Sequence, residues 1–401
     1  MKKIGLVIIS ILLLSLWNSN IVANAKNIPK YGTKKTNYGE YICEDGYITA
    51  VRRGQFGQMA KGIEECKVAA GPYGSSVFVR KAGKKKSVYE IGMKYKSFPF
   101  YLISKKDAEF YPVGAERMIF ADKKGEFRYT GFGHCFFLFH HKKEKQCDNS
   151  GHFFKKEKVK VLQGASKVWS DNGGIAYIKN NNLYIAYSEP TVGCYDDEMS
   201  GIHTYFTGKG DQIKKVVVPY NGGPIFVLMR DGSLWGMGDN TSKLICNRKI
   251  AYVEQFIKLN IENVKDIACN GVNTGVLKKD GTFWVWGRIL KNRREYTCVP
   301  QYIAGKVKEI AIGTNTDGKD KSLIIYLKEN GCAYGFGGNK GYATYMITCK
   351  NKKNWIKKPV LLMKKVKHVY ATDDLVLILN RKKELLWQGM FTGTQFTSLV
   401  S

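Results

Sequence analysis

Short apolar runs separated by turn residues fill most of this chain. The segments 229–238, 277–287 and 327–337 share one order, in which a β-prone run leads into Asp-Gly or Asn-Gly and aromatic and glycine residues follow. These dipeptides tolerate the positive φ of a tight turn, so each segment predicts two antiparallel strands joined by a two-residue loop. A further strand precedes each hairpin, and at 264–268 and 307–312 it alternates apolar and polar residues like a half-buried strand.

The three copies recur about every 50 residues, which indicates a repeat architecture. Used as a template, they identify four weaker copies at 67–92, 118–131, 175–184 and 366–389. Seven units, each with three visible strands and a variable segment, predict an all-β fold, a seven-bladed β-propeller of four-stranded antiparallel blades. The last unit ends too early to complete a blade, so we expect residues 41–67 to supply its missing strands and close the ring. The alternative is an open solenoid, which would need capping ends.

The residues that define the strong copies are interpreted as architecture, with the tryptophans assigned to blade packing rather than to sugar stacking. They are Asp231, Gly232, Trp235, Gly238, Asp280, Gly281, Trp284, Trp286, Gly287, Asn330, Gly331, Tyr334 and Gly337.

This order of strand, small step, apolar strand, Asp-Gly and aromatic-x-aromatic-Gly resembles the repeats of the regulator of chromosome condensation family. Residues 280–287 match the family core Asp-Gly-x-(Val/Leu)-(Trp/Tyr)-x-Trp-Gly almost fully. The resemblance extends over roughly 43–401 and implies a secreted bacterial seven-bladed member. Of the family's following Gly-Asn-x-x-Gly-Gln-Leu-Gly, only 238–240 and 337–341 carry an echo, and no His opens the middle strand.

Residues 1–25 are interpreted as a signal peptide, because two lysines precede the apolar run 4–17 and Ala-Asn-Ala follows it. Cleavage is expected before Lys26, and no later stretch predicts a transmembrane segment. The remaining chain then divides into a linker, 26–40, and a single propeller domain, 41–401. The protein is expected to be secreted or associated with the cell envelope, as a monomer.

Basic residues dominate the composition, with 64 Lys and Arg against 34 Asp and Glu and a formal net charge of +30. One interpretation is solubility, because lysine-rich edges also discourage strands of different molecules from pairing. The other is attraction to an anionic partner, such as a cell-envelope polymer or an acidic protein. Nucleic acid is not an expected partner, because the signal peptide predicts export.

Ten cysteines in an exported chain predict disulfides, although several could be buried free thiols. The candidate pairs are Cys43 with Cys66, Cys135 with Cys147 and Cys332 with Cys349. Two cysteines and two histidines also form a weak candidate zinc site, Cys135, His140, Cys147 and His152. Their spacing lies outside the common finger pattern, and a disulfide would remove the ligands. An ordinary loop is the alternative, and no cofactor is expected.

Three functions compete. The first is a binding scaffold whose inter-strand loops recognise a protein or an anionic envelope partner. The second is inhibition of an exported enzyme, because the family resemblance includes secreted propellers that inhibit β-lactamases through aromatic-rich loops. The third is a glycan hydrolase or lyase using the acidic residues at 196–198 or 373–374. The sequence assigns no catalytic residue and favours a protein that is not an enzyme.

Overall fold

The computed structural model of the chain describes most of the residues beyond 33. These are residues 34–36, 39–44, 47–71, 74–83, 87–91, 100–104, 109–114, 117–121, 124–132, 153–171, 174–187, 202–219, 223–245, 250–288, 297–313, 322–338, 355–372 and 375–392.

Thirty strands form the described fold. The chain opens with β1 (Lys34–Thr36), β2 (Gly39–Glu44) and β3 (Tyr47–Ala60). Blade 1 contains β4 (Ile63–Gly71), β5 (Gly74–Lys81), β6 (Val88–Ile91) and β7 (Phe100–Ser104). Blade 2 contains β8 (Glu109–Gly114), β9 (Arg117–Ala121), β10 (Phe127–Phe132) and β11 (Phe153–Lys158). Blade 3 contains β12 (Lys167–Asp171), β13 (Gly174–Lys179), β14 (Asn182–Tyr187) and β15 (Ile202–Tyr205).

The second half of the chain continues the pattern. Blade 4 contains β16 (Ile213–Val217), β17 (Ile225–Met229), β18 (Leu234–Asp239) and β19 (Tyr252–Lys258). Blade 5 contains β20 (Val264–Cys269), β21 (Asn273–Lys278), β22 (Phe283–Gly287) and β23 (Thr297–Ala304). Blade 6 contains β24 (Val307–Gly313), β25 (Leu323–Lys328), β26 (Ala333–Gly338) and β27 (Trp355–Met363). Blade 7 begins with β28 (Val366–Ala371), β29 (Leu375–Asn380) and β30 (Leu385–Thr392).

Six blades are four-stranded antiparallel sheets whose strands follow the chain order. The seventh has the order β1-β2-β3-β30-β29-β28, in which β3 pairs antiparallel with β30. The predicted seven-bladed propeller and its N-terminal closure are therefore confirmed. Blade 7 differs from the expected four strands because β1 and β2 continue the sheet outward beyond β3. β1 lies within the segment interpreted as a linker.

The core consists of the interfaces between neighbouring blades, because each blade has apolar side chains on both faces. Trp387 is fully buried between blades 7 and 1, beside Met59 and Ile63. Trp286 is fully buried between blades 4 and 5, where its Nε1 donates a hydrogen bond to the Leu244 carbonyl oxygen at 2.8 Å. Each blade thus contributes to two interfaces, and the ring is stabilised around its whole circumference.

The hairpin turns of the three strong copies, in blades 4–6, are one residue longer than predicted. In blade 5 the amide of Lys278 pairs with the Thr282 carbonyl, and only Gly281 has a positive φ, +80°. Asp280 instead accepts hydrogen bonds from the Thr282 amide, at 2.9 Å, and from its hydroxyl, at 2.7 Å. The aspartate therefore caps the turn, and only the glycine needs left-handed backbone.

Helix in the described ranges is limited to two single 3-10 turns, Lys160–Leu162 and Gly210–Gln212. Among the described residues, no helix is long and apolar enough to cross a membrane.

Candidate functional site

The innermost strands of the seven blades, β4, β8, β12, β16, β20, β24 and β28, surround a central channel of about 540 Å³. Its wall includes Lys67, Tyr111, Trp169 and Tyr370, together with polar groups of several blades.

One position of the innermost strand carries an ionisable residue in every blade. Each member pairs, through the second strand, with a buried residue at the start of the third strand. We call this set the channel ring, and Lys215, Asp266 and Glu309 among its members line the channel itself. The members are Glu65, Glu109, Lys167, Lys215, Asp266, Glu309 and His368.

Side-chain contacts within the channel ring join neighbouring blades. Lys215 Nζ lies 2.7 Å from Asp266 Oδ1 and donates to the Ile267 carbonyl oxygen at 2.8 Å, which joins blades 4 and 5. Glu309 Oε2 lies 2.9 Å from His368 Nδ1, and Glu309 Oε1 accepts the Val369 amide at 2.9 Å, which joins blades 6 and 7. These ring charges are therefore used in closing blade boundaries.

Lysines link two further pairs of blades, Lys167 from within the channel ring and Lys67 from two residues beyond its member Glu65. Lys167 Nζ donates to the Ile213 carbonyl oxygen at 3.0 Å, which joins blades 3 and 4. Lys67 Nζ donates to the Phe110 carbonyl oxygen at 2.7 Å and lies 4.6 Å from the centroid of the Phe110 ring. Burial lowers the pKa of Lys67, and the neighbouring Glu65 partly opposes that shift.

Hydrogen bonds at the opposite end of the inner strands continue the pattern. Ser75 Oγ lies 2.7 Å from Thr372 Oγ1 across the boundary between blades 1 and 7. Asn270 Nδ2 donates to the Gly313 carbonyl oxygen at 3.1 Å and to Ser322 Oγ at 2.9 Å, which joins blades 5 and 6. Polar contacts thus fix neighbouring blades at both ends of the channel.

One face of the propeller contains the hairpin turns between second and third strands and the connections between blades. We call it the turn face. Backbone hydrogen bonds connect its parts: the amides of Val264, Val307 and Val366 donate to the carbonyls of Gly232, Gly281 and Gly331. These three connections are therefore anchored on the hairpin of the preceding blade, and the turn face is a continuous hydrogen-bonded surface over blades 4–7.

A β-bulge at the start of the innermost strand places a lysine on the turn face in four consecutive blades. The register shifts across Lys214, Lys265, Lys308 and Lys367, which we call the bulge lysines. The first three are exposed, and Lys367 is half-buried. Blade 1 has the same bulge with Glu64, which pairs with Lys383 at 2.9 Å. The row of positive charge therefore extends over blades 4–7.

The residues assigned to the repeat core occupy equivalent positions on hairpins and third strands. Trp284 is half-buried against Tyr302, with ring centroids 5.5 Å apart, and its Nε1 donates to Thr282 Oγ1 at 2.9 Å. Trp235 packs edge-on against Phe206 at 5.7 Å. Both tryptophans thus contact their own blade or its neighbour.

The expected disulfides are not found at the described cysteines, since Cys66, Cys269, Cys298 and Cys332 form none. Cys66 lies on the innermost strand β4, whereas Cys43 lies on β2, an outer strand of blade 7. Neighbouring strands are about 4.8 Å apart, so this placement exceeds the roughly 7 Å reach of a disulfide. Burial keeps the pKa of the Cys66 thiol above its usual range.

Other candidates fall outside the described residues: Cys135, His140, Cys147, His152 and Cys349, with the acidic residues at 196–198 and 373–374. Within the described ranges, no group of three His, Cys, Asp or Glu residues could hold a metal ion.

The sequence analysis did not identify the channel ring or the bulge lysines. Aligning the seven first strands by their cross-strand partners would have revealed the ionisable column, because every copy carries one. The signal is weak in sequence because each bulge shifts the register by one residue.

The fold and repeat define an RCC1-like seven-bladed propeller. Three solved structures show that likeness. Human WBSCR16 has a TM-score of 0.54 at 13% identity, covering 83% of this chain and 88% of that one. Yeast RCC1 (Prp20) in its complex with Kap60 has a TM-score of 0.51 at 14% identity, covering 70% of this chain and 69% of that one. Prp20p from Saccharomyces cerevisiae, in a study of its binding to Gsp1p and histones, has a TM-score of 0.51 at 12% identity. That match covers 89% of this chain and 86% of that one.

Likeness at these identities is a likeness of fold. No family model matches the chain. One curated relative, the Rho GTPase-activating protein gacGG of Dictyostelium discoideum, is 26% identical over 118 residues. The match covers 28% of this chain and 10% of that protein, so the chain spans a small part of the relative's length.

Proposed function

We propose that this protein is an exported β-propeller that serves as a binding scaffold, with a protein or an anionic polymer of the cell envelope as its partner. The observation that carries the proposal is the contrast between two sets of charges. In the channel ring, Lys215 pairs with Asp266 and Glu309 with His368 across blade boundaries, whereas the bulge lysines are exposed or half-exposed on a hydrogen-bonded surface. A ring that presents a row of lysines on one face is suited to binding rather than to turnover.

Two further points support the proposal. The net charge of +30 favours association with anionic surfaces and speeds encounter with them. Prp20, which shares the fold, was crystallised with a protein partner, Kap60. Export follows from the interpretation of residues 1–25 as a signal peptide, and N-terminal sequencing of the secreted chain tests it by locating the expected start at Lys26.

A cross-linking pull-down tests the binding role. The mature chain, at roughly micromolar concentration, is incubated with a cell-envelope fraction and with spent medium, then cross-linked and recovered. Each extract is also protease-treated, which separates a protein partner from a polymer. We expect a specific component from one extract. Recovery of none from either extract, at both low and physiological salt, would reject the scaffold proposal.

A further inference from the structure

The bulge lysines form a row of like charge that the fold does not neutralise. Lys214 Nζ reaches the Lys265 carbonyl oxygen on the next blade. Within the described part of the chain, no ion pair or side-chain hydrogen bond engages the ammonium groups of Lys265, Lys308 or Lys367. Like charges at equivalent positions repel one another, so they weaken rather than explain the stability of the ring.

Connections and hairpins around this row add positive charge. Exposed basic residues of the turn face in blades 4–7 include Arg230, Lys279, Lys306, Lys364, Lys365 and Arg381. Among the described residues of this sector, exposed acidic side chains are fewer, and two of them are bound within hairpins. Asp231 accepts the Ser233 amide, and Asp280 accepts the Thr282 hydroxyl and amide; these bonds lower the pKa of both carboxyls, which therefore keep their negative charge. Basic side chains outnumber the acidic ones, so the sector carries net positive charge.

Apolar anchors lie elsewhere on the described surface. Among the described residues, exposed large hydrophobic side chains occur on outermost strands or directly before one, as with Ile250, Tyr252, Val299, Tyr302 and Leu361. Protein interfaces concentrate their binding energy in such aromatic and apolar residues, whereas lysine binds phosphate as a point charge. The turn face is thus suited to a partner recognised by charge.

We propose that the turn face of blades 4–7 binds a linear phosphate-bearing polymer, laid along the bulge lysines. The proposal rests on the proposed function, since it assigns the partner's chemistry and the face that receives it. Several blades present equivalent charges, so a chain can contact them in succession, and each contact releases counterions from the polymer. A single phosphate contacts one site and gains little, so affinity should rise with polymer length.

Binding of long-chain inorganic polyphosphate, measured by fluorescence anisotropy over a salt series, tests the assignment. The test variant is Lys265→Gln, Lys308→Gln and Lys367→Gln combined. The matched control is Lys243→Gln, Lys357→Gln and Lys358→Gln combined, which removes the same charge at exposed positions away from the bulges. Circular dichroism confirms folding of both. A third variant with arginine at the three bulge positions keeps the charge.

Loss of three contacts should make the dependence of log affinity on log salt less steep by about 2. Near 0.1 M salt, this corresponds to polyphosphate binding that is roughly 30- to 100-fold weaker. The control and the arginine variant should stay within about threefold of the natural chain. Orthophosphate should bind far more weakly than the polymer. Equal weakening of test and control variants would show diffuse charge attraction and overturn the assignment of the face.

Two other outcomes would also overturn it. Absence of polyphosphate binding by the natural chain would reject the polymer, and tighter binding to anionic lipid vesicles would assign the face to a membrane surface. The test is separable from the scaffold proposal. If the natural chain and the test variant recover the same envelope component equally, the scaffold role stands and the turn-face assignment fails. If polyphosphate binds as expected but nothing is recovered from either extract, the scaffold role fails alone.

Discussion

Closure of the ring by β3 should appear as energetic coupling between Met59 on β3 and Trp387 on β30. Met59 is 4% exposed and Trp387 is fully buried, and both belong to the cluster between blades 7 and 1. Gly57 and Gln58 pair with Trp387 and Leu386 immediately beside them. Strand β3 therefore contributes apolar contacts to the closure as well as backbone hydrogen bonds.

The expected magnitudes follow from full burial. Trp387→Ala should cost about 3–5 kcal/mol, and Met59→Ala about 2–3 kcal/mol, through lost apolar contact and the cavity left behind. Residues within one cluster couple, so the double variant should lose about 1 kcal/mol less than the two single losses together. The reason is that Met59 has less to pack against once the indole is gone.

Urea unfolding followed by far-ultraviolet circular dichroism measures the free energy of unfolding of all three variants. The values can be compared directly when the dependence of that free energy on urea concentration is similar among them. Trp286→Ala is the matched control, because Trp286 is equally buried in the cluster between blades 4 and 5. Combined with Met59→Ala, it should be additive within about 0.5 kcal/mol. A cost below about 0.5 kcal/mol for Met59→Ala, or full additivity with Trp387→Ala, would refute closure by β3.

Gly313→Ala should destabilise the fold by about 1–3 kcal/mol in thermal unfolding, because an added Cβ would lie 2.1 Å from the Thr372 carbonyl oxygen; an unchanged midpoint would contradict this close approach. Gly281→Ala should cost about 1–2 kcal/mol through backbone strain at φ +80°, and Gly281→Asn, which tolerates that conformation better, should lose less. In maleimide labelling read by mass spectrometry, native Cys332 should react and Cys66 should not, and equal labelling would contradict the burial of Cys66. Since burial raises the pKa of that thiol, the unfolded chain ionises first, so stability should fall as pH rises above about 9 and Cys66→Ala should reduce the fall.

The fold could be predicted from sequence because each repeat depends on residues that are neighbours in the chain, namely the turn dipeptide and the apolar strands on either side of it. The turn-proximal positions of the seven copies, such as Tyr89, Trp235 and Tyr334, all lie on third strands beside a hairpin. The short last unit also indicated the closing strand. The turn length was wrong because Asp280 and its equivalents cap the turn with their side chains, a role that the dipeptide alone does not distinguish from a left-handed backbone.

The candidate site was harder to predict because it depends on register between blades. Lys215 and Asp266 are about 50 residues apart, and only the stacking of blades 4 and 5 brings their charges within 2.7 Å. The bulges add a second difficulty. Lys265 and Asp266 are adjacent in sequence, yet the bulge directs Lys265 to the turn face and Asp266 to Lys215 of the preceding blade.

The two sets of charges around the channel therefore differ in their physical role. Half-exposed pairs such as Lys215 with Asp266 and Glu309 with His368 contribute at most about 1 kcal/mol each, so their main effect is to align neighbouring blades. The bulge lysines lie one residue away in sequence and gain no such partner among the described residues. Blade 1 instead carries Glu64 at its bulge, where it pairs with Lys383 of the blade 7 hairpin. Under the proposed binding of a phosphate-bearing polymer, that ligand supplies the missing negative charge opposite the repeated lysine in blades 4–7.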